Sequence, residues 1–103
     1  RKKDIIIRGG ENISSKEDEA VLLRLDAVAD AAVVAAPDER MGEVVRACLV
    51  LSPGAAITLE DIRAHFAATG IAKQKTPERL SIVDELPRNA SGKVLKYKLR
   101  NSP

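Results

Sequence analysis

A loop near the end of the sequence presents one lysine among small and polar residues, in the order Arg88-Asn89-Ala90-Ser91-Gly92-Lys93. A lysine ammonium on a glycine-containing loop can contact phosphate and carboxylate oxygens as a compact positive charge. A solvated surface lysine is the simpler explanation when the loop is considered alone. The loop is therefore a candidate anion-binding segment whose interpretation depends on the rest of the chain.

A second segment that could do more than pack lies near the start of the chain and reads Arg8-Gly9-Gly10-Glu11-Asn12. Paired glycines adopt positive φ angles and allow backbone or a narrow ligand to approach closely. A tight hairpin turn requires the same residues for its own geometry. The residue types alone leave both interpretations open.

The sequence offers little for other kinds of catalysis. His65 is the only histidine and Cys48 the only cysteine, and no carboxylates lie at ligand spacing beside either, so no metal site is expected. Residues 91–93 lack the first glycine and the following Ser or Thr of a phosphate-binding loop. No local motif supports a Ser-His-Asp arrangement. Catalysis by this chain alone is not expected.

Runs of β-branched residues, separated by turn residues, predict strands that could position the two segments. Residues 4–13 predict an N-terminal β-hairpin with its turn at the paired glycines. Three further strands are predicted over residues 28–36, 43–51 and 79–83. The run around Cys48 is apolar, so this cysteine is interpreted as a small buried hydrophobic residue.

Three helices complete the predicted fold, and their caps are visible in the sequence. The first begins at Ser14 or Ser15 and continues to about residue 25. The second begins after Thr58 and ends at Gly70, and the last covers residues 95–100. The fold class is therefore α+β, a small three-stranded sheet flanked by helices, with the hairpin in front and the lysine loop and short helix behind.

Size and composition limit the function classes. The chain has 103 residues, of which 45% are apolar, and is expected to form one domain over residues 1–103. Two aromatic residues and a net charge of +2 argue against nucleic-acid binding by base stacking or by bulk charge. No membrane span and no signal peptide are visible, and a lone cysteine forms no internal disulfide, so a cytoplasmic location is expected. The chain begins without Met and is interpreted as a fragment.

Three ordered blocks of the sequence resemble one family, the superfamily of acyl-CoA synthetases, peptide-synthetase adenylation domains and luciferases. Residues 1–13, RKKDIIIRGGENI, resemble its hinge and hairpin motif. Residues 28–34 followed by PDERMGE over 37–43 resemble its middle block, and LPRNASGKV over 86–94 is similar to its terminal lysine motif. The resemblance covers nearly the whole chain and identifies it as the small C-terminal lid domain of such an enzyme.

The resemblance implies an ATP-dependent, AMP-forming fatty-acid or other carboxylic acid:CoA ligase that works in two steps. A large N-terminal domain, its implied partner, would bind ATP, Mg²⁺ and the acid, and coenzyme A would be the second substrate. Lys93 matches the adenylation lysine and Lys3 the hinge position. Gly10 matches the glycine that borders the pantetheine tunnel, with Gly9, Glu11 and Asn12 beside it. The lid alone is expected to fold but to be inactive.

Two alternatives remain open at this stage. A peptide-synthetase-like domain would load a carrier protein, although the hairpin sequence favours coenzyme A. A non-catalytic module could instead bind an acidic partner through its basic residues, namely Lys73, Lys75, Arg79, Arg88, Lys93, Lys96 and Lys98.

The sequence also departs from the family pattern in several places. Ser15 replaces a frequent proline and Asp18 an apolar residue, both near a helix start. Gln74 replaces an aromatic residue and Asn89 a threonine, nearer the expected ligand side. None of these departures changes Lys93.

Overall fold

A computed structural model describes residues 4–101 and shows the predicted α+β fold. Its elements in chain order are β1 Ile5–Arg8, β2 Glu11–Ser14, α1 Ser15–Leu22, β3 Val28–Asp38, β4 Gly42–Leu51, α2 Leu59–Thr69, a 3₁₀ turn Lys73–Lys75, β5 Arg79–Ile82 and α3 Lys96–Arg100. In this part of the chain no helix is both long and apolar enough to cross a membrane.

All five strands belong to one sheet, so the hairpin joins the three predicted strands. The order is β2-β1-β4-β3, with β3 and β4 antiparallel along nearly their whole length and β5 parallel to β4. β1 pairs with β4 where Arg8 lies opposite Gly42. The Gly9 N–H donates to the Met41 carbonyl at 2.9 Å and the Ile7 N–H to Glu43 Oε1 at 2.8 Å. The hairpin is therefore fixed to the sheet at its turn end.

The sheet has an apolar cluster on each face, which explains the continuous apolar runs of β3 and β4. On one face, alternate residues of these strands, such as Val33 and Val45, pack with Leu22 of α1 and with Ile62 and Phe66 of α2. The other face buries a smaller cluster of Ala32, Val34, Cys48, Leu86 and Leu99. The prediction for Cys48 is thus confirmed, and burial raises the pKa of its thiol.

Two helix starts confirm the capping residues that the sequence indicates. The Glu17 N–H donates to Ser14 Oγ at 3.3 Å at the start of α1. At α2, Thr58 and Asp61 form a reciprocal capping box, and Gly70 ends the helix with a φ of 79°. α1 ends at Leu22 rather than near residue 25, because the chain turns there to enter β3.

The short helix α3 depends on tertiary contacts, because five residues are too few for a stable isolated helix. Leu99 is buried in the smaller cluster. The buried Arg46 of β4 donates from Nη1 to the Leu99 carbonyl at 3.3 Å and from Nη2 to Ser81 Oγ at 2.7 Å. α3, and with it the loop that precedes it, is therefore held against the sheet.

Candidate functional site

The lysine loop is organised by one side chain, that of Asn89. Its Oδ1 accepts hydrogen bonds from Ser91 N at 3.0 Å, Ser91 Oγ at 2.8 Å and Lys93 N at 2.9 Å. The Asn89 N–H donates to the Lys93 carbonyl at 2.9 Å, which closes the loop. The Lys93 side chain is exposed. The loop thus fixes the Lys93 backbone and leaves its ammonium accessible.

Arg88 ties this loop to the sheet. Its Nη1 donates to the Gly92 carbonyl and its Nη2 to Asp30 Oδ2, both at 2.6 Å. Arg88 and Val94 also form an isolated antiparallel bridge across the base of the loop. Because Asp30 belongs to β3, the position of Lys93 is set by the sheet as well as by its own loop.

A groove of about 560 Å³ lies beside Lys93. It is lined by Asp4, Lys16, Glu19, Ala31, Asn89, Lys93, Val94, Leu95, Lys96, Tyr97 and Arg100. Four of these residues are basic and two are acidic, and Tyr97 is 53% exposed at its edge. The groove therefore offers a site at which a cationic side chain can meet an anionic group, and Lys93 is one of its exposed basic residues, with Lys16 and Arg100.

The two glycines of the hairpin turn differ in their surroundings. Gly9 has a φ of +56°, and a Cβ there would lie 2.6 Å from Met41 Cε. Gly10 has a φ of +87°, and a Cβ there would meet no atom within 4 Å. Both positions favour glycine for conformational reasons. Gly9 also packs closely, whereas Gly10 presents bare backbone to open space.

Charged and polar side chains surround the hairpin turn. Arg8 Nε donates to Glu78 Oε2 at 2.7 Å, a hydrogen bond that raises the pKa of the guanidinium further. Two depressions of about 260 and 320 Å³ share Arg8 and Glu78 in their walls. Glu11 and Asn12 are exposed, and Gln74 Nε2 lies 3.5 Å from Glu11 Oε2. Gln74 therefore faces the hairpin in the position where an aromatic residue is common.

The hairpin turn and the lysine loop lie at opposite ends of β1. Asp4, just before this strand, lines the groove of Lys93. Arg8, at its far end, lines the depressions beside the turn. A strand rises about 3.3 Å per residue, so the five steps from Asp4 to Gly9 span roughly 16 Å. The structure thus brings Gly9, Gly10, Glu11 and Asn12 together but keeps them apart from Lys93.

The remaining predicted residues have different outcomes. Lys3, the predicted hinge, lies outside the described residues. Within residues 4–101 no cluster of three or more histidine, cysteine or acidic residues could hold a metal ion. Four members of the predicted basic surface form ion pairs instead, namely Lys75 with Glu17, Arg79 with Asp38, Arg88 with Asp30, and Lys96 with Asp4 and Glu19.

Asp18 of α1 is fully buried, which its sequence position only hinted at. Neither carboxylate oxygen has a hydrogen-bond partner among the residues described. Burial, followed by the nearby Glu17 charge, raises the pKa of Asp18 to about 7. The sequence signal for this burial is that Asp18 stands where the family pattern has an apolar residue. The sequence alone indicates that Lys96 is one of the surface charges. It does not show the contacts with Asp4 and Glu19, because these residues lie far from Lys96 in the chain.

Comparison with known proteins places this geometry in a family. The medium-chain fatty-acid–CoA ligase of Escherichia coli K12 is 50% identical over 101 residues, or 97% of this chain and 18% of the relative. The acyl-CoA synthetase of Brucella canis superposes with a TM-score of 0.88 at 34% identity over 97% of this chain and 19% of that one. The o-succinylbenzoate CoA synthetase of Bacillus subtilis, solved with its acyl-adenylate intermediate, gives 0.87 at 40% identity over 100% and 21%.

The chain spans about a fifth of the length of these relatives. Residues 17–93 match the family described as AMP-binding enzyme C-terminal domain, from α1 to the lysine of the loop. The chain that carries this exposed lysine and the glycine turn at the other end of β1 therefore belongs to the AMP-binding enzyme C-terminal domain family.

Proposed function

We propose that residues 1–103 are the mobile C-terminal domain of an ATP-dependent, AMP-forming carboxylic acid:CoA ligase. One observation carries the proposal. The two candidate segments lie at the two ends of β1, which spans roughly 16 Å from Asp4, beside the groove of Lys93, to Gly9 of the turn. A reaction centre that transfers a phosphoryl or acyl group spans only a few ångströms. One placement of a rigid domain cannot serve both segments, so each half-reaction needs its own orientation.

In the first half-reaction Lys93 acts on the α-phosphate of ATP. An oxygen of the acid's carboxylate attacks the α-phosphorus, the bond to the β-phosphate oxygen breaks, and pyrophosphate leaves. Both reactants are anions, so an ammonium between them stabilises the charge that concentrates in the transition state. No proton is transferred to or from Lys93. Its exposure and the rigid Asn89 loop support this role.

ATP, Mg²⁺ and the acid are held by the large N-terminal domain in this proposal. Mg²⁺ would balance the charge of the triphosphate there. The described residues contribute no ligand cluster to that ion. The part of this chain is to deliver Lys93 to a site that the other domain has assembled.

In the second half-reaction the domain turns about Lys3, and the hairpin replaces the lysine at the active site. The thiolate of coenzyme A attacks the acyl carbonyl of the adenylate, the carbonyl–phosphate oxygen bond breaks, and AMP leaves. Gly10 supports this role because open space lies where a side chain would project. A narrow pantetheine arm could pass along bare backbone there, with Gly9, Glu11 and Asn12 beside it.

The names of the relatives support the proposed acceptor and acid. The E. coli relative is a medium-chain fatty-acid–CoA ligase and the B. subtilis one an o-succinylbenzoate CoA synthetase. These names support coenzyme A as the acceptor over a carrier protein. They also support a carboxylic acid as the substrate class, and we propose a fatty acid as the specific substrate and the cytoplasm as the location.

The alternative of a basic binding module loses support from the ion pairs. Four of its seven basic residues contact carboxylates within this chain, which lowers the positive potential available to an acidic partner. Lys93, like Lys73, is exposed beside a depression, and the groove of Lys93 is the larger of the two, at about 560 against 260 Å³. That placement fits one small anionic ligand better than an extended polyanion.

The test separates the half-reactions in the full-length protein. Lys93→Ala should lower pyrophosphate release by about 10²- to 10³-fold, the usual cost of removing one charge-stabilising group. Thioester formation from supplied acyl-adenylate should be nearly unchanged. Lys98→Ala, which removes an exposed lysine of α3, is the matched control.

Gly10→Leu should have the opposite effect, with adenylation intact and thioester formation strongly reduced. Gly54→Leu is its control, because Gly54 has a similar φ of +77° and equally open surroundings in the loop after β4. If both half-reactions survive Lys93→Ala and Gly10→Leu, the proposed function is wrong.

A further inference from the structure

Lys96 lies beneath the groove of Lys93 and connects three parts of the fold. Its Nζ is 2.7 Å from Glu19 Oε2 of α1 and 3.2 Å from Asp4 Oδ2 at the entry to β1. Its side chain is only 14% exposed, against 19% for Glu19 and 39% for Asp4. The contacts are ion pairs, since Nζ forms no hydrogen bond of good geometry with the described residues. A partly buried charge between two carboxylates is not an ordinary surface lysine.

Both carboxylate partners are themselves fixed by the backbone. Glu19 Oε2 also accepts the Val33 N–H at 2.9 Å, on the outer edge of β3. The Asp4 carbonyl accepts the Ser15 N–H at 2.8 Å, at the first turn of α1. Lys96 is the first residue of α3. It therefore links this helix to the start of β1 and to the edge of the sheet.

Asp4 occupies a special place in this network. It follows the proposed hinge residue Lys3 directly in the sequence. Its carbonyl and its carboxylate both contact the domain, so the chain is fixed to the rigid body from Asp4 onward. Lys96 is therefore one of the links between the start of β1 and the segment that carries Lys93, beside the Arg88–Asp30 contact with β3.

We infer that Lys96 is a positioning residue for adenylation, which sets the distance and direction of Lys93 from the hinge. The inference rests on the proposed function, because it needs Lys93 to act at a distant site. The hairpin turn does not depend on this link. β1 pairs along its length with β2 and is fixed at its far end by Gly42 and Met41. Loss of Lys96 should therefore affect the first half-reaction and not the second.

The test uses Lys96→Met and Lys96→Arg in the full-length protein, with both half-reactions measured separately. Lys96→Met keeps the length of the side chain and removes its charge. It should lower kcat for pyrophosphate release about 100-fold, the usual cost of a misplaced catalytic group, and leave KM for ATP nearly unchanged. Thioester formation from acyl-adenylate should change little. Lys96→Arg should recover most of the adenylation rate, because a guanidinium can bridge both carboxylates.

Asp4→Asn provides a second route to the same contact if Lys96→Met folds poorly, since it removes one carboxylate with almost no change in size. It should give a smaller loss with the same preference for adenylation. Equal losses in both half-reactions, or an Arg variant no better than Met, would mean that Lys96 only stabilises the fold and would overturn the inference. Lys93→Ala measured in parallel separates the two claims. If it abolishes adenylation while Lys96→Met leaves it intact, the inference alone fails.

Discussion

The lysine loop and the glycine turn present different groups and are held in place by different kinds of contact. The loop presents a side chain, and its backbone is held by other side chains, chiefly Asn89 and Arg88. The turn presents backbone, and it is held by backbone pairing of β1 with β2 and by the Gly9–Met41 hydrogen bond. A segment that delivers a charge needs a scaffold of polar groups, whereas one that leaves room for a ligand needs missing side chains.

The helix α1 forms one ion pair on the side of each region. Glu17 pairs with Lys75 on the side of the hairpin, next to Gln74, which approaches Glu11. Glu19 pairs with Lys96 on the side of the lysine loop. The two regions can therefore be changed separately only while α1 stays in place.

The largest effect is expected from Asp18, at the centre of α1. Its pKa is raised to about 7 in the folded protein by burial, and the usual value in an unfolded chain is about 3.9. The stability that it contributes is full below pH 4 and is lost as the pH rises through 7, because ionisation then opposes folding. The free energy of unfolding should fall by on the order of 4 kcal/mol from this group over that range.

Asp18→Asn should remove this dependence, since the amide does not ionise. Urea unfolding of wild type and variant at several pH values gives the difference between their free energies of unfolding. The contributions of the other carboxylates cancel in that difference. The exposed Asp26→Asn is the control and should leave the slope unchanged. A variant whose free energy of unfolding falls with pH as steeply as that of the wild type would contradict the raised pKa of Asp18.

The next effect is expected at Asn89, which tests whether the loop depends on its side chain. Asn89→Ala removes the acceptor of three hydrogen bonds and should lower adenylation by about 10- to 100-fold through misplacement of Lys93. Asn89→Asp keeps the acceptor oxygen and should retain most of the rate. Thioester formation should respond to neither. Full adenylation activity in Asn89→Ala would mean that the loop is held by its backbone alone, as the turn is.

Much of the fold was readable from the sequence because its signals are local. The caps at Ser14, Thr58 and Gly70 and the long apolar strands needed only neighbouring residues. The sequence does not predict the attachment of the hairpin to β4, since it depends on contacts between residues far apart in the chain, namely Arg8 opposite Gly42, Gly9 with Met41 and Ile7 with Glu43.

The candidate site divides in the same way. The sequence indicated Lys93 and the paired glycines, because each lies in a compact motif. It did not indicate that the two regions lie at opposite ends of β1, nor that Lys96 is an internal ion-pair partner. Those are consequences of how the terminal helix packs against the sheet, and charge alone does not encode them.

The two glycines should respond differently to alanine. Both substitutions force a side chain into positive φ, which costs about 1–2 kcal/mol in thermal or urea unfolding. Gly9→Ala must also displace the Met41 methyl, an effect that Met41→Ala should relieve, whereas Gly10→Ala needs no such relief. Thioester formation should fall more in Gly10→Ala than in Gly9→Ala. An equal response to Met41→Ala in both backgrounds would remove the distinction between a packed and an open glycine.

The smallest effect is expected from the ion pair of Arg8 and Glu78, which lies beside the turn. The two side chains are 22% and 34% exposed, so a double-mutant cycle with Arg8→Gln and Glu78→Gln should give a coupling of about 0.2–1 kcal/mol. The coupling should shrink as salt is raised, since water and ions reach both groups. The rate of thioester formation should change little in the double variant, because the turn is set by backbone pairing. If the coupling is well above this range and thioester formation is selectively lost, the hairpin also depends on side-chain contacts. The hairpin and the lysine loop would then differ only in how much they depend on side chains.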